Sequence, residues 1–184
     1  LRLYIFLWIV SEEYSISAYR ENEFSWIRCD GRGSFINSPV VKDWCEREIA
    51  AGVTSIVVDL EQCKGMDSTF MGTMAGLAMR LMKVPGGKLQ VAEPSERNRK
   101  SLEDLGLDVL MEIDPQESSW RNSMEGIRAK LVACKADEEK IGQGVHVLDA
   151  HRKLCEADKR NTEKFGTVLD YLEAEVKAKE ADNE

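Results

Sequence analysis

The sequence predicts an α/β protein: a mixed sheet of about four to five strands with helices packed on it, followed by a helical C-terminal extension. Three observations predict it. Between Tyr14 and Ile113, strand-like and helix-like segments alternate. Within them, Ile56-Val57-Val58 is a compact β-branched block of the kind buried on both faces of a sheet. Beyond residue 119 the pattern changes, and from about Val145 to Lys179 no proline interrupts a helix.

The elements follow in order. Tyr14 to Tyr19 and Phe24 to Cys29 alternate as two antiparallel strands joined through Arg20-Glu21-Asn22-Glu23. Asp30-Gly31-Arg32-Gly33-Ser34 carries turn chemistry. Asn37-Ser38-Pro39 reads as a helix start, with Asn37 or Ser38 as cap and proline at an early position. Val40, Val41, Trp44, Cys45 and Ile49 give that helix an apolar face, and Gly52 ends it. A strand at Ser55–Leu60 follows, then a Met- and Ala-rich helix. Val84-Pro85-Gly86-Gly87 is a turn and Lys88–Ala92 a short strand. Pro94-Ser95 opens a helix that Gly106 stops, and Val109–Ile113 is a last strand.

Composition narrows the function classes. A hydrophobic content of 43 % suffices for a core, while 32 % charged residues argue against a membrane protein. A net charge of −8 argues against a nucleic-acid partner. The five cysteines show no CxxC pair and no regular spacing, which reads as reduced thiols in a cytoplasmic protein. The opening LRLYIFLWIV is too short to span a bilayer, which takes about 20 apolar residues. No small-residue cleavage site follows it, so an added strand or a leader foreign to the fold outweighs export.

The stretch IVVDLEQCKGMDSTFMGTMAGLAMRL, residues 56–81, is the most informative. An apolar strand closes on Asp59, crosses a loop and enters a helix through Asp67-Ser68-Thr69. Met71, Met74, Ala75, Ala78, Met79 and Met82 recur at helical spacing, a stripe that reads as core packing against the sheet. The oxygens at 67–69 sit where a helix leaves its first N–H groups without partners. A hydroxyl there either caps the helix or faces the surface for modification. Read alone, the tripeptide favours the cap.

Together with the order of elements, VVDLEQCKGMDSTFMG resembles the STAS domain, the fold of anti-sigma factor antagonists. In that family a strand ending in Asp or Asn-Leu leads to an Asp-Ser-(Ser/Thr)-Gly-Leu-Gly helix start. Asp59-Leu60 matches the strand end, Asp67-Ser68-Thr69 the phosphorylation site and Gly72 the last glycine; Gly31 fits the glycine opening the other conserved loop. The resemblance implies a STAS domain over 11–118, after an apolar leader at 1–10 and before a helical extension at 119–184. It implies Ser68 as phosphoacceptor, with Thr69 as fallback. It further implies a partner surface of Ser34, Phe35, Asn37, Ser38, Asp67, Thr69, Phe70 and Met71. The implied activity is a phosphorylation-switched anti-sigma factor antagonist, a binding module rather than an enzyme, needing no cofactor. Its partner would be a serine kinase that doubles as anti-sigma factor. The alternatives are a STAS subunit of a transporter or lipid-trafficking complex, or a stressosome-type scaffold. Two residues depart from the pattern. Phe70 replaces the usual glycine, either narrowing access to Ser68 or adding an apolar anchor. Ser34 replaces an acidic residue that many members carry.

No catalytic set emerges, because both histidines lie in the tail. His146, His151 and Cys155 are a weak zinc signal without a second ligand cluster, and a solvated helix is the preferred reading. Val84-Pro85-Gly86-Gly87-Lys88 lacks phosphate-loop spacing. In the tail, Leu148, Cys155, Thr162, Leu169 and Val176 repeat every seven residues, with Phe165 and Leu172 on the same side. Its stripe can pack back on the sheet, pair with a second copy or dock on a partner; one straight helix from Val145 to Lys179 would reach ~50 Å, which adds weight to self-association or a second protein partner.

Overall fold

A computed structural model describes residues 15–135 and 144–181. The leader, Tyr14, the charged run Asp137-Glu138-Glu139-Lys140 with Gly142, and residues 182–184 lie outside the described residues. In chain order the elements are β1 (Ser15–Glu21), β2 (Phe24–Gly33), α1 (Ser38–Ala50), β3 (Ser55–Asp59), β4 (Cys63–Met66), α2 (Ser68–Leu81), β5 (Lys88–Ala92), α3 (Glu96–Asp104), β6 (Glu112–Ile113), α4 (Met124–Arg128), β7 (Val132–Ala133), α5 (Gly144–Ala157) and α6 (Arg160–Ala181).

The sheet is mixed. β1 and β2 form an antiparallel hairpin, turning at Asn22, which takes a left-handed φ of 54° that asparagine tolerates. From β2 the sheet grows in parallel through β3, β5 and β6, and on the other side β7 pairs antiparallel with β1. The strands alternate faces as the pleat requires. Ile27, Ile56 and Val58 pack with α1, α2 and α3 on one face. Trp26 and Val57 pack with Trp120 and Ile127 on the other. Met71, Met74, Ala75 and Ala78 lie in the first of these cores, as their spacing predicts, whereas Met82 is exposed.

Four expectations need correction. Seven strands pair among the described residues, because two short ones, β4 and β7, carry no sequence signal of their own. The Asp30–Gly33 stretch continues β2 instead of turning, since β4 supplies it with a parallel partner. The last strand shrinks to Glu112–Ile113, because Leu107–Val109 winds into a 3₁₀ turn after Gly106. The piece around Met124–Cys134 is a five-residue helix followed by β7, and it packs against the sheet through Ile127.

The tail is not one rod. The helix breaks after Ala157, where Asp158 accepts the N–H of Arg160 at 2.9 Å and so begins α6 afresh. Asn161 fixes the corner by donating to the carbonyls of Leu154 and Leu105 at 2.8 and 2.9 Å. α6 then folds back on α5, bringing Val176 against Gly144 and Glu173 to 2.9 Å from Arg152. The apolar stripe is thus covered in part within the chain: Leu148 and Leu172 are buried, Cys155, Phe165, Leu169 and Val176 are half-buried, and Thr162 is exposed.

Candidate functional site

The mouth of α2 meets the loop that enters α1. Asp67 is the residue that joins them. Its Oδ1 accepts the N–H of Phe70 at 2.8 Å, capping α2, and its Oδ2 accepts the N–H of Phe35 at 2.8 Å from the other loop. Its own N–H donates to the Gly33 carbonyl at 2.9 Å. Asp67 therefore performs the capping, and the Ser68 hydroxyl is left to other partners.

Asn37, Ser34 and Ser38 build the second wall. Asn37 stands at the N-cap of α1, but its side chain makes no cap bond. It donates to the Arg32 carbonyl and accepts the Ser34 N–H, both at 2.8 Å, holding the loop closed. Ser34, Asn37 and Ser38 are buried, and Phe35 is 44 % exposed at the rim. Thr69 is buried and its carbonyl accepts from Thr73 Oγ1 at 2.8 Å.

Phe70 neither narrows the mouth nor offers an anchor. It is 0 % exposed, and its ring turns inward over Gly33. A Cβ on Gly33 would stand 2.8 Å from the ring, so glycine at 33 is what admits phenylalanine at 70. Met71 is buried as well. Neither presents a surface to a partner in this arrangement.

What lies over Ser68 comes from the tail. Ser68 Oγ is 3.0 Å from His151 Nε2. His151 Nδ1 is 2.8 Å from the Val147 carbonyl, which can only accept, so Nδ1 carries the proton. In the neutral ring Nε2 then accepts the Ser68 O–H. His146 repeats the arrangement one helix over: its Nε2 is 2.8 Å from Ser38 Oγ and 3.5 Å from Thr73 Oγ1. Burial, and then the neighbouring Lys42 charge, lower the His146 pKa against the pull of Asp149, Asp43 and Asp67. Sequence reasoning set both histidines aside as solvated tail residues. The signal available was Gly72-x-x-x-Gly76, two small residues on one face of α2 that permit a second helix to approach closely.

Asp59, at the end of β3, stays away from this mouth. Its buried carboxylate accepts from Trp26 Nε1 at 3.1 Å and from Arg128 Nε and Nη2 at 2.8 and 3.1 Å. That ties α4 to the sheet. No group of three or more His, Cys, Asp or Glu among the described residues is placed to hold a metal ion, and all five cysteines are free thiols. No helix among the described residues is long and apolar enough to cross a membrane.

A mixed sheet with the mouths of α1 and α2 side by side, the second opening on a serine that follows its capping aspartate, defines the class as an α/β module. The STAS domain family matches residues 15–119, more than half of the chain, and the chain belongs to that family. Among solved structures it is similar to a putative anti-sigma factor antagonist from Thermotoga maritima, at 19 % identity and a TM-score of 0.51 over 61 % of this chain and 94 % of that one. It is also similar to an anti-sigma factor antagonist from Mycobacterium paratuberculosis, at 15 % identity and a TM-score of 0.50 over 65 % of this chain and 97 % of that one. These likenesses establish the fold. No curated protein matches the chain.

Proposed function

We propose that this STAS protein is an anti-sigma factor antagonist of the phosphorylation-switched type. It binds a kinase-type anti-sigma factor through the α1–α2 mouth, and phosphorylation at Ser68 releases it. The observation that carries this reading is the division of labour at 67 and 68. Because Asp67 caps α2, Ser68 can be modified without loss of the cap. A phosphate adds a charge of about −1.5 to −2 at a helix N-terminus, where the helix dipole favours it. The fold tolerates that charge, but an apposed partner surface does not, through desolvation and repulsion of its acids.

Incubation with serine kinases and ATP, with the phosphate mapped by mass spectrometry, tests the reading. Phosphate is expected on Ser68, and Ser68→Asp is expected to weaken partner binding about tenfold or more. Phosphate confined to Thr69, or unchanged affinity for Ser68→Asp, overturns it.

One observation favours a second reading. The Ser68 hydroxyl already holds a partner in His151. In a STAS subunit of a transporter or lipid-trafficking complex, Ser68 would be structural and the docking permanent. Stable co-purification with such a complex, indifferent to ATP and kinase, would favour it.

A further inference from the structure

Both histidines of the chain sit on α5, and each places a ring nitrogen on the hydroxyl that opens a helix of the STAS domain: His146 on Ser38 and His151 on Ser68. Between these bonds α5 and α2 touch at backbone distance. A Cβ on Gly72 would stand 2.2 Å from the Ala150 carbonyl oxygen. Ala150 and Leu154 are buried, Leu154 in the core that α2 shares, and Lys42 Nζ lies 3.0 Å from Asp149 at the edge of α5. His151 is itself held from behind by Phe165 of α6, the rings meeting edge to face at 5.3 Å.

We propose that α5 is an internal competitor for the α1–α2 mouth. Docked, it shields Ser68 and occupies the surface that a protein partner would take; displaced, it frees both at once. The proposal rests on Ser68 being the phosphoacceptor, and adds how that site is regulated. Phosphoryl transfer forms the Ser68 Oγ–P bond, breaks the bond from the γ-phosphorus of ATP to the bridging oxygen, and releases ADP and the hydroxyl proton. The γ-phosphorus must approach the Oγ that now faces His151 Nε2 at 3.0 Å, a gap with no room for a phosphoryl group. α5 must therefore leave before the kinase can act. The attached phosphate is larger than the same gap, so α5 cannot reseat in the same way afterwards. A partner that docks on the mouth and a kinase that modifies it both draw on the open form, and the affinity of each scales with its population.

Two full-length variants move that population in opposite directions. Ala150→Glu sets a carboxylate against the Gly72 backbone and alters no residue of the STAS domain. Gly76→Cys with Lys153→Cys locks the contact, because a Cβ at 76 stands 4.0 Å from that at 153, within disulfide range. The locked protein is covalently held, so it remains informative should Ala150→Glu fail to fold. The first readout needs no kinase: the thiol introduced by Ser68→Cys is alkylated with iodoacetamide and followed by peptide mass. Alkylation is expected to run about tenfold or more faster with Ala150→Glu than without it, as for an open state of a few per cent. In the second readout, with kinase and ATP, Ser68 phosphorylation is expected to slow about tenfold in the oxidised double-cysteine protein and to recover with dithiothreitol. Equal alkylation rates, or equal phosphorylation of the oxidised and reduced forms, overturn the shield. Gated alkylation with no phosphate on any form supports the shield and refutes Ser68 as acceptor.

Discussion

Asp67 and Ser68 divide two jobs that the tripeptide leaves entangled. The carboxylate caps α2 and ties down the Phe35 loop, and the hydroxyl is left for chemistry or for contact. At this scale the sequence motif marked the start of α2 and its cap, because the spacing from strand end to helix start is local. It did not say which way Phe70 points. That depends on Gly33, 37 positions upstream, whose missing side chain gives the ring its place. The pair predicts a measurable coupling. Gly33→Ala should cost about 1–3 kcal/mol in the native background, the usual penalty of overpacking. In a Phe70→Ala background the same substitution should cost much less, since the added methyl then meets a void. Denaturant midpoints of the four proteins give the coupling energy. Additive midpoints would mean that the ring does not rest on residue 33.

Element by element, legibility follows how much of an element's stability is its own. β3 and α2 were readable because the β-branched block and the apolar stripe are dense and local. β4 was not, because Cys63-Lys64-Gly65-Met66 carries no strand pattern and exists through its pairing with β2. The break between α5 and α6 was also hidden. Glu156-Ala157-Asp158-Lys159-Arg160 reads as continuous helix, and the corner depends on Asn161 reaching the Leu105 carbonyl. The docking of α5 carries a pH dependence. Burial, with Lys42 beside it, holds His146 below its ordinary value of 6.5, while Asp149, Asp43 and Asp67 oppose the shift. The unfolded or undocked form thus binds the proton more readily than the docked one. Docking is therefore complete above 6.5, weakens as pH falls through the interval down to the lowered value, and changes no further below it. Amide-exchange protection of α5 is expected to drop as pH falls below about 6.5. His146→Gln, which keeps a hydrogen-bonding group near Ser38, should flatten that drop. A profile identical to the native one would assign the pH dependence to another group.

For the molecule as a whole, the largest gap between sequence and structure is where the tail's apolar stripe goes. A heptad-like stripe on a helix is equally able to meet a second copy, a partner or its own domain, because the pattern specifies a need for burial and not its direction. Here the chain meets part of the need itself, while Val168 and Tyr171 of α6 stay exposed. Leu154 packs with the STAS domain, and Leu148 and Leu172 are buried as α6 folds back on α5. Overall size follows from that choice. A compact chain of 184 residues has a radius of gyration of about 16 Å, whereas a straight helix over 145–179 would alone reach ~50 Å. Small-angle scattering in dilute solution is expected to give a value near the compact one for the native chain. Ala150→Glu should enlarge it by a few ångströms if α5 and α6 leave together as a hairpin, since Asn161 and Phe165 couple the two helices. An unchanged radius in a variant whose residue 68 has become reactive would show instead that α5 peels back only around His151, with α6 still seated on the domain.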